Sequence, residues 1–303
     1  MKKYVLVTIV VLMSIPSIGQ RKNTMLNTPI IDMHLHSGYA GPDILEAVTK
    51  LRSNNDQPSY RDSTFKYLNE FNIVKAVVDG PNALDYQSRD PERFIPAWGT
   101  SSTPVDSLRK WFQEGSYKIM AEFGPQYSGL APNDEKLEPY FSLAEELDIP
   151  VGIHMGPGPP GAAYIGMKNY RMSLSNPLLL EEVLVKHPKL RIYIMHAGYP
   201  FIDELIGLLW AHPQVYVDVA VINWVLPQIE FHNYLRRIVE AGYGERIMYG
   251  SDEMIWPQSI KISVGNIRAA DFLSVKQKED IFYNNAARFL RLTDEEIQKH
   301  KNQ

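Results

Sequence analysis

The sequence IIDMHLH, residues 30–36, decides how the chain is interpreted. It begins with two β-branched residues, and its polar residues fall on alternate positions, which predicts a β-strand with one polar face. His34 and His36 are two residues apart, so their imidazoles point to the same side of that strand and can bind one metal ion. A pair of histidines can also simply line a polar strand end, so the rest of the chain has to decide between these interpretations.

From Pro29 onward, short β-branched runs alternate with amphipathic segments, which is the pattern of a parallel sheet with crossover helices. Eight strands are predicted, at 30–36, 73–78, 93–98, 117–123, 150–154, 190–196, 214–219 and 246–250. Helices are predicted at 43–51, 60–71, 104–114, 134–147, 177–187, 200–212, 230–241 and 275–292. Eight strands with intervening helices favour one closed (β/α)8 barrel, a TIM barrel of the α/β class, over residues 29–297. Residues 20–28 are expected to be a polar leader and residues 298–303 a solvated tail.

The first twenty residues, MKKYVLVTIVVLMSIPSIGQ, have the organisation of a secretory signal peptide. Two lysines precede an apolar run, and Ser17 and Gly19 are small residues placed as in a cleavage site. The alternative is an uncleaved membrane anchor, but the apolar run is shorter than the ~20 residues that span a bilayer. We therefore expect a signal peptide at residues 1–19 and a periplasmic or secreted mature protein.

Six potential metal ligands follow predicted strands. Four of the eight histidines and two carboxylates lie at or just after strand ends: His34, His36, Glu122, His154, His196 and Asp252. The C-terminal ends of the strands of a barrel meet at one mouth, so these residues would converge although they are scattered in sequence. The chain has no cysteine, which excludes disulfides and thiolate ligands. The pattern predicts a metal site built from imidazoles and carboxylates.

Several of these residues have a second interpretation. His154 and His196 would also suit the rim of a barrel without metal. Glu122 would also suit a carboxylate that orients a histidine ligand, and Asp252 would also suit the N-cap of a following helix.

Other polar residues are left outside the predicted ligand set. Asp218, on the seventh strand, is expected to orient a ligand or anchor a loop. Asp32 lies on the same strand face as His36 but ~13 Å deeper, so we expect a structural role. The remaining histidines are not assigned to the site: His187, His212, His232 and His300.

Taken together, these residues resemble the amidohydrolase superfamily, in particular its amidohydrolase-related group. That group has His-Xaa-His on strand one, histidines on strands five and six, and an aspartate on strand eight. The fragments IDMHLH, GIHMG, MHAGYP, MYGSDEMIWP and YNNAARFL carry the resemblance, which covers nearly the whole mature chain. The resemblance implies a TIM barrel that binds one or two divalent ions per chain.

The end of strand four decides between one ion and two. Many family members bridge two ions with a carboxylated lysine, whereas others use glutamate or neither. Here the strand ends on Glu122, and Lys118 lies ~13 Å further down the strand. If Glu122 bridges, one ion is held by His34, His36 and Asp252 and the other by His154 and His196. If it does not, the resemblance implies one ion on His34, His36, His154 and Asp252, with His196 facing the substrate.

Imidazole and carboxylate ligands favour Zn, with Mn, Fe or Co as alternatives. Such an ion lowers the pKa of a bound water from 15.7 to about 7. We expect Asp252 to take the proton of that water and pass it to the leaving group, while the metal and His196 polarise the scissile carbonyl. The expected function is hydrolysis of a small-molecule amide, lactone or ester. Two alternatives are a non-oxidative decarboxylase of the same superfamily and a catalytically silent binding protein. A silent protein should have lost one of the metal-binding residues.

Two loops rich in glycine and proline, HMGPGPPGAAYIG and FGPQYSGLAP, follow the fifth and fourth strands, on the side of a barrel where substrates bind. Tyr127, Trp224 and Trp256 are expected to give this pocket aromatic walls, and Arg171 to meet a substrate carboxylate. Without the two signal-peptide lysines, 29 basic residues face 35 acidic ones, a net charge of about −6 that argues against nucleic acid as a partner. The expected partner is a small molecule, and the sequence leaves a homo-oligomer open.

Overall fold

The computed structural model describes residues 28–38 and 57–302. The predicted signal peptide, most of the polar leader and the helix predicted at 43–51 lie outside these residues. Within them, every helix falls short of the length and apolar character required to cross a bilayer.

Strands and helices alternate along the described chain. The strands are β1 (Ile30–His36), β2 (Ile73–Asp79), β3 (Phe94–Pro96), β4 (Met120–Phe123), β5 (Val151–His154), β6 (Ile192–Met195), β7 (Val215–Asp218) and β8 (Ile247–Met248). The α-helices are α1 (Gln57–Glu70), α2 (Ala83–Arg89), α3 (Val105–Gln113), α4 (Glu138–Glu146), α5 (Glu181–Lys186), α6 (Ile202–Ala211), α7 (Ile222–Val225), α8 (Gln228–Ile238), α9 (Gln258–Ala269), α10 (Val275–Glu279), α11 (Asn285–Leu290) and α12 (Asp294–Lys301). All eight predicted strands are present, each within a few residues of its predicted bounds.

Backbone hydrogen bonds close the strands into a barrel. β1 to β3 pair in parallel in chain order, and so do β4 to β8. Trp98 N donates to Ile119 O at 3.0 Å and joins β3 to β4. Met33 N donates to Tyr249 O at 2.9 Å and joins β1 to the residue after β8. The predicted (β/α)8 barrel is confirmed.

Tyr193 on β6 lies in the barrel interior beneath the mouth. The side chain is fully buried, and its hydroxyl donates to Met33 O at 3.0 Å. Gly152 and Ala121 leave room for the ring, because a Cβ at Gly152 would overlap it. Phe289 of α11 packs edge-on against Tyr193 with 5.5 Å between ring centroids. The barrel is thus a packed core that supports the strand ends above it.

Several helices were not predicted, and α9 is the longest of them. It spans Gln258–Ala269 and buries Ile260, Val264 and Ile267 against the barrel. These residues have helical spacing, but Ile262 adds an alternation of apolar residues at 260, 262 and 264 that is typical of a strand and hides the helical period. α2 and α7, at Ala83–Arg89 and Ile222–Val225, are at most two turns long and were also missed.

The C-terminal residues need a second correction. The segment predicted as one helix at 275–292 consists of α10, a π-helical stretch at Asp280–Asn284 and α11. It is followed by α12, which extends to Lys301. In the tail predicted to be solvated from residue 298, the described residues are exposed except for His300. His300 is buried, and its Nδ1 lies 2.8 Å from the hydroxyl of Tyr283. A capping box at Thr293 and Glu296 begins this helix.

The interior hydrogen bond of Tyr193 gives a test of the fold. Tyr193→Phe leaves the Met33 carbonyl unpaired inside the barrel, so the free energy of unfolding should fall by about 1–2 kcal/mol. Tyr164 is 93% exposed, so Tyr164→Phe is the matched control and should change the free energy of unfolding by less than about 0.5 kcal/mol. Urea unfolding measures both, and equal stability of the two variants would contradict this packing.

Candidate metal centre

The six side chains predicted as metal ligands meet at the mouth formed by the C-terminal strand ends. Each lies within 4 Å of at least one other through a nitrogen and a carboxylate oxygen. Four of them are at most 3% exposed, namely His34, His154, His196 and Asp252. The side chains of His36 and Glu122 are 12% and 19% exposed, and they face the opening.

Asp252 forms the first group with the two histidines of β1. Its Oδ1 lies 2.9 Å from Nε2 of His36 and 3.6 Å from Nε2 of His34. The ligand atoms of the three residues lie within 4.8 Å of one another. Asp252 follows β8 and does not cap a helix, since the next helix, α9, begins at Gln258.

Glu122 contacts different histidines with its two oxygens. Oε2 lies 3.6 Å from Nε2 of His36, whereas Oε1 lies 3.3 Å from Nε2 of His154 and 3.8 Å from Nε2 of His196. The carboxylate therefore lies between the β1 histidines and those of β5 and β6. Lys118 is exposed and precedes β4, so it lies far from this position.

Groups around the cluster fix the rings of His34 and His196. Nδ1 of His196 lies 3.0 Å from Ala220 O, and because a carbonyl only accepts, the proton is on Nδ1 and the lone pair of Nε2 faces the site. Nδ1 of His34 lies 3.3 Å from Oδ2 of Asp218. The other oxygen of Asp218 accepts from the backbone N–H of His196 and Ala220, each at 2.9 Å. Asp218 thus has the orienting role considered for it.

Asp79, at the end of β2, was missed by the sequence analysis. Its Oδ1 lies 2.5 Å from Nδ1 of His36, and its Oδ2 accepts from the backbone N–H of Glu122 at 2.8 Å. It also forms a group of three potential ligands with His36 and Glu122. The signal was present, because Asp79 directly follows the predicted strand 73–78 at the same mouth.

His154 is held by residues of the loop after β4. Its Nδ1 contacts the side-chain amide of Gln126, and its Nε2 lies 3.0 Å from the hydroxyl of Tyr127. Burial lowers the pKa of His154 to about 3, although Glu122 acts in the opposite direction. The ring is therefore neutral at pH 7, which is the form that binds a metal ion. A third group of potential ligands is formed by His34, Glu122 and His196. His154 belongs to none of the three groups, and Glu122 is its link to them.

The histidines of β1 have the opposite electrostatic environment. Burial disfavours their charged form, but the carboxylates of Asp252, Asp218 and Glu122 outweigh it and raise the pKa of His34 to about 9. Burial also opposes the charge of His36, but Asp79 and Asp252 hold its pKa well above the usual range. Without a metal, both imidazoles are positively charged at pH 7.

Both carboxylates of the cluster are ionised. Burial alone would raise the pKa of Glu122, but the surrounding histidines, which include the protonated His34 and His36, hold it well below the usual range. Burial acts on Asp252 in the same way, and His34 and His36 lower the pKa of that carboxyl. The site therefore offers two carboxylates to a cation.

The donor atoms themselves fit a divalent cation. Nε2 of His34, Nε2 of His36 and Oδ1 of Asp252 are buried. The oxygen lies 3.6 Å and 2.9 Å from the two nitrogens, but neither contact has the geometry of a hydrogen bond. Buried polar atoms nearly always have a partner. Imidazole nitrogens and carboxylate oxygens are ligands of Zn²⁺ and related ions, so one ion would satisfy all three atoms.

Two of the candidate ligands adopt a costly backbone conformation. His196 and Asp252 have φ of 58° and 51°, in the left-handed region that costs about 1–3 kcal/mol for a residue with a Cβ. Both side chains face the cluster from positions where the chain leaves a strand. Such conformations are concentrated at functional sites.

A cavity of about 400 Å³ opens onto the cluster. Five of the cluster residues form one end of it, and Tyr127 and Trp256 are in its wall, as expected. Much of the remaining wall is apolar and includes Met167, Val221, Val225, Leu226 and Met254. The volume suits a small-molecule ligand.

Two residues expected in the pocket lie elsewhere. Arg171 is exposed, and its guanidinium donates to the backbone oxygens of Lys168 and Tyr170 at 2.9 Å and 2.7 Å. Trp224 lies behind the wall, with its indole N–H donating to Ser251 O at 2.6 Å. Arg171 is bound by the local backbone, so its charge does not reach the cavity.

Comparison with known proteins agrees with this site. The family model described as amidohydrolase matches residues 31–292, so the chain belongs to the amidohydrolase family. It is thus an enzyme of the amidohydrolase superfamily, whose members are metal-dependent. Protein fluG of Emericella nidulans is 20% identical over 161 residues, which are 48% of this chain and 18% of that protein. The chain thus spans less than a fifth of that relative.

Solved structures share the barrel. An uncharacterised TIM-barrel protein from Bordetella bronchiseptica superposes with a TM-score of 0.68 and 17% identity, covering 87% of this chain and 98% of its own. For 5-carboxyvanillate decarboxylase from Sphingomonas paucimobilis, the TM-score is 0.58 and the identity 14%, and the superposition covers 88% of this chain and 100% of the decarboxylase. For 4-oxalomesaconate hydratase from Rhodopseudomonas palustris, the TM-score is 0.58 and the identity 18%, and the superposition covers 89% of this chain and 98% of the hydratase. At these identities the similarity establishes the fold alone.

The charge state of His34 predicts that metal binding releases protons. At pH 7 its ring is protonated without metal, because its pKa is about 9, and a bound ion needs the lone pair. Zinc uptake at pH 7 should therefore release at least about one proton per chain, and affinity should rise between pH 7 and 9. Calorimetry in buffers of different ionisation enthalpy measures this release. Zinc binding without proton release would contradict the charge state assigned to this histidine.

Proposed function

We propose that this protein is a zinc-dependent hydrolase that cleaves the amide, ester or lactone bond of a small molecule in the periplasm or outside the cell. The observation that carries the proposal is the position of Glu122, whose two oxygens face different histidines. This position suits a carboxylate shared by two ions. His34, His36 and Asp252 would hold the first ion, and His154 and His196 the second.

When bound, the divalent ion makes water a nucleophile at neutral pH and polarises the substrate carbonyl. Asp252 is ionised and lines the cavity, so it can accept a proton from the attacking water. The water oxygen forms a bond to the carbonyl carbon, the bond to the leaving nitrogen or oxygen breaks, and Asp252 returns the proton to that leaving atom. His196, whose Nε2 carries the lone pair, completes the same end of the cavity.

The role of Asp252 can be tested by removing its basicity. Asp252→Asn should lower kcat by at least about 100-fold, because the amide cannot accept the proton. Asp271→Asn, at an exposed position, is the control and should retain full activity. Steady-state kinetics with metal analysis of each variant measures the effect. If the Asp252→Asn variant keeps both its metal and full activity, Asp252 is not the base.

The bridging role of Glu122 predicts the metal content. The wild type should hold about two zinc ions per chain, and Glu122→Ala should hold about one, because the shared carboxylate is lost. Glu114 is exposed, so Glu114→Ala serves as control and should match the wild type. Elemental analysis of purified protein gives the counts. One ion in both wild type and Glu122→Ala would instead favour the decarboxylase alternative, with Glu122 orienting a histidine.

A further inference from the structure

We infer that the substrate of this site is an uncharged molecule whose part remote from the scissile bond is apolar and carries no carboxylate. The inference rests on the proposed function, and it narrows the substrates from any amide, ester or lactone to one class. It depends on the composition of the cavity wall and on the position of the nearby cations.

Within residues 28–38 and 57–302, the wall offers no positive side chain to a remote carboxylate. Among the cavity-lining residues of the described chain there is neither lysine nor arginine. The wall opposite the cluster is built from aliphatic, thioether and proline side chains, including Pro157, Pro159, Val225 and Leu226. A carboxylate buried against such a wall would lose its hydration without gaining an ion pair.

The cations of the loop after β5 point elsewhere. Arg171 is exposed and bound to backbone oxygens, and Lys168 is exposed beside it. The same loop contributes Pro157, Gly158 and Met167 to the wall. The loop therefore presents apolar surface to the cavity and its charges to solvent.

The polar side chains that line the cavity outside the cluster are uncharged. They belong to Tyr127, Tyr199 and Trp256; the hydroxyl of Tyr127 lies 3.0 Å from Nε2 of His154, and that of Tyr199 donates to Glu230 at 3.3 Å. The indole N–H of Trp256 is buried and has no acceptor among the described residues. These residues therefore supply no counterion to a remote carboxylate.

A matched pair of hydroxamates tests the inference by binding, without turnover. Hexanohydroxamic acid and adipic acid monohydroxamate have the same chain length and the same metal-binding group, and only the second has a remote carboxylate. Calorimetry with the zinc-loaded protein should give a dissociation constant at least about 30-fold lower for the uncharged compound. Equal or tighter binding of the carboxylated compound would overturn the inference.

A lysine placed in the wall should reverse the preference. Val225→Lys supplies the missing cation and should shift the ratio of the two dissociation constants by at least about 10-fold toward the carboxylated compound. Val185 is 66% exposed on α5, so Val185→Lys is the matched control and should leave the ratio unchanged. Leu226→Lys repeats the test if the first variant does not fold. An unchanged ratio in the folded wall variant would also overturn the inference.

The same compounds separate this inference from the proposed function. If the uncharged hydroxamate is preferred but uncharged esters, lactones and amides are not hydrolysed, the proposed hydrolysis fails and the assigned ligand class stands. If esters are hydrolysed and those with a remote carboxylate are preferred, the hydrolase stands and the assigned substrate class is wrong.

Discussion

The site depends on the backbone pairing between β1 and the residues that follow β8. His34 O accepts from Asp252 N at 2.6 Å, and His36 N donates to Glu253 O at 2.9 Å. Asp32 adds a third tie, since its Oδ1 accepts from the backbone N–H of Ser251 at 2.9 Å, across 219 positions of the chain. These bonds close the barrel, and they also place the two histidines of the first strand against an aspartate distant in sequence. The same hydrogen bonds therefore close the barrel and position the residues of the site.

This coupling explains why so much buried charge is tolerated. Isolated charges inside a barrel cost several kcal/mol each, and an ionised carboxylate is stable there only with partners. Here the carboxylates and imidazoles compensate one another, and Asp79 and Asp218 hold ring nitrogens on the far side from the cavity. Asp32 is the exception, because burial raises its pKa to about 7. Its role is to tie strands together, as its depth in the strand suggested.

Much of the fold and of the candidate site could be predicted from the sequence, because the C-terminal ends of all strands in a barrel meet at one mouth. The alternation in IIDMHLH, and the histidines and carboxylates that end later strands, predict both the barrel and six members of the cluster. Asp79 was missed because the β-branched run stops one residue earlier and its role appears only when β2 lies beside β1. α9 was missed because Ile260, Ile262 and Val264 also alternate as in a strand. The direction of Arg171 could not be predicted, since a loop backbone decides it.

The sequence also could not predict the charge states of the histidines. His154 and His34 are both buried imidazoles at strand ends, yet the pKa of one is lowered to about 3 and that of the other raised to about 9. The difference lies in the number of carboxylates around each ring, which is a property of the assembled mouth. The fold therefore makes the ring of His154 neutral and that of His34 protonated, and a bound cation would replace a proton at His34.

The central claim is that these side chains hold divalent metal at the mouth of the barrel. Anomalous diffraction from crystals of the zinc-loaded protein, measured on both sides of the zinc absorption edge, tests it most directly. The account predicts an edge-dependent peak enclosed by His34, His36 and Asp252, with a second beside Glu122 toward His154 and His196. Absence of anomalous density at this mouth in zinc-loaded crystals would contradict the account.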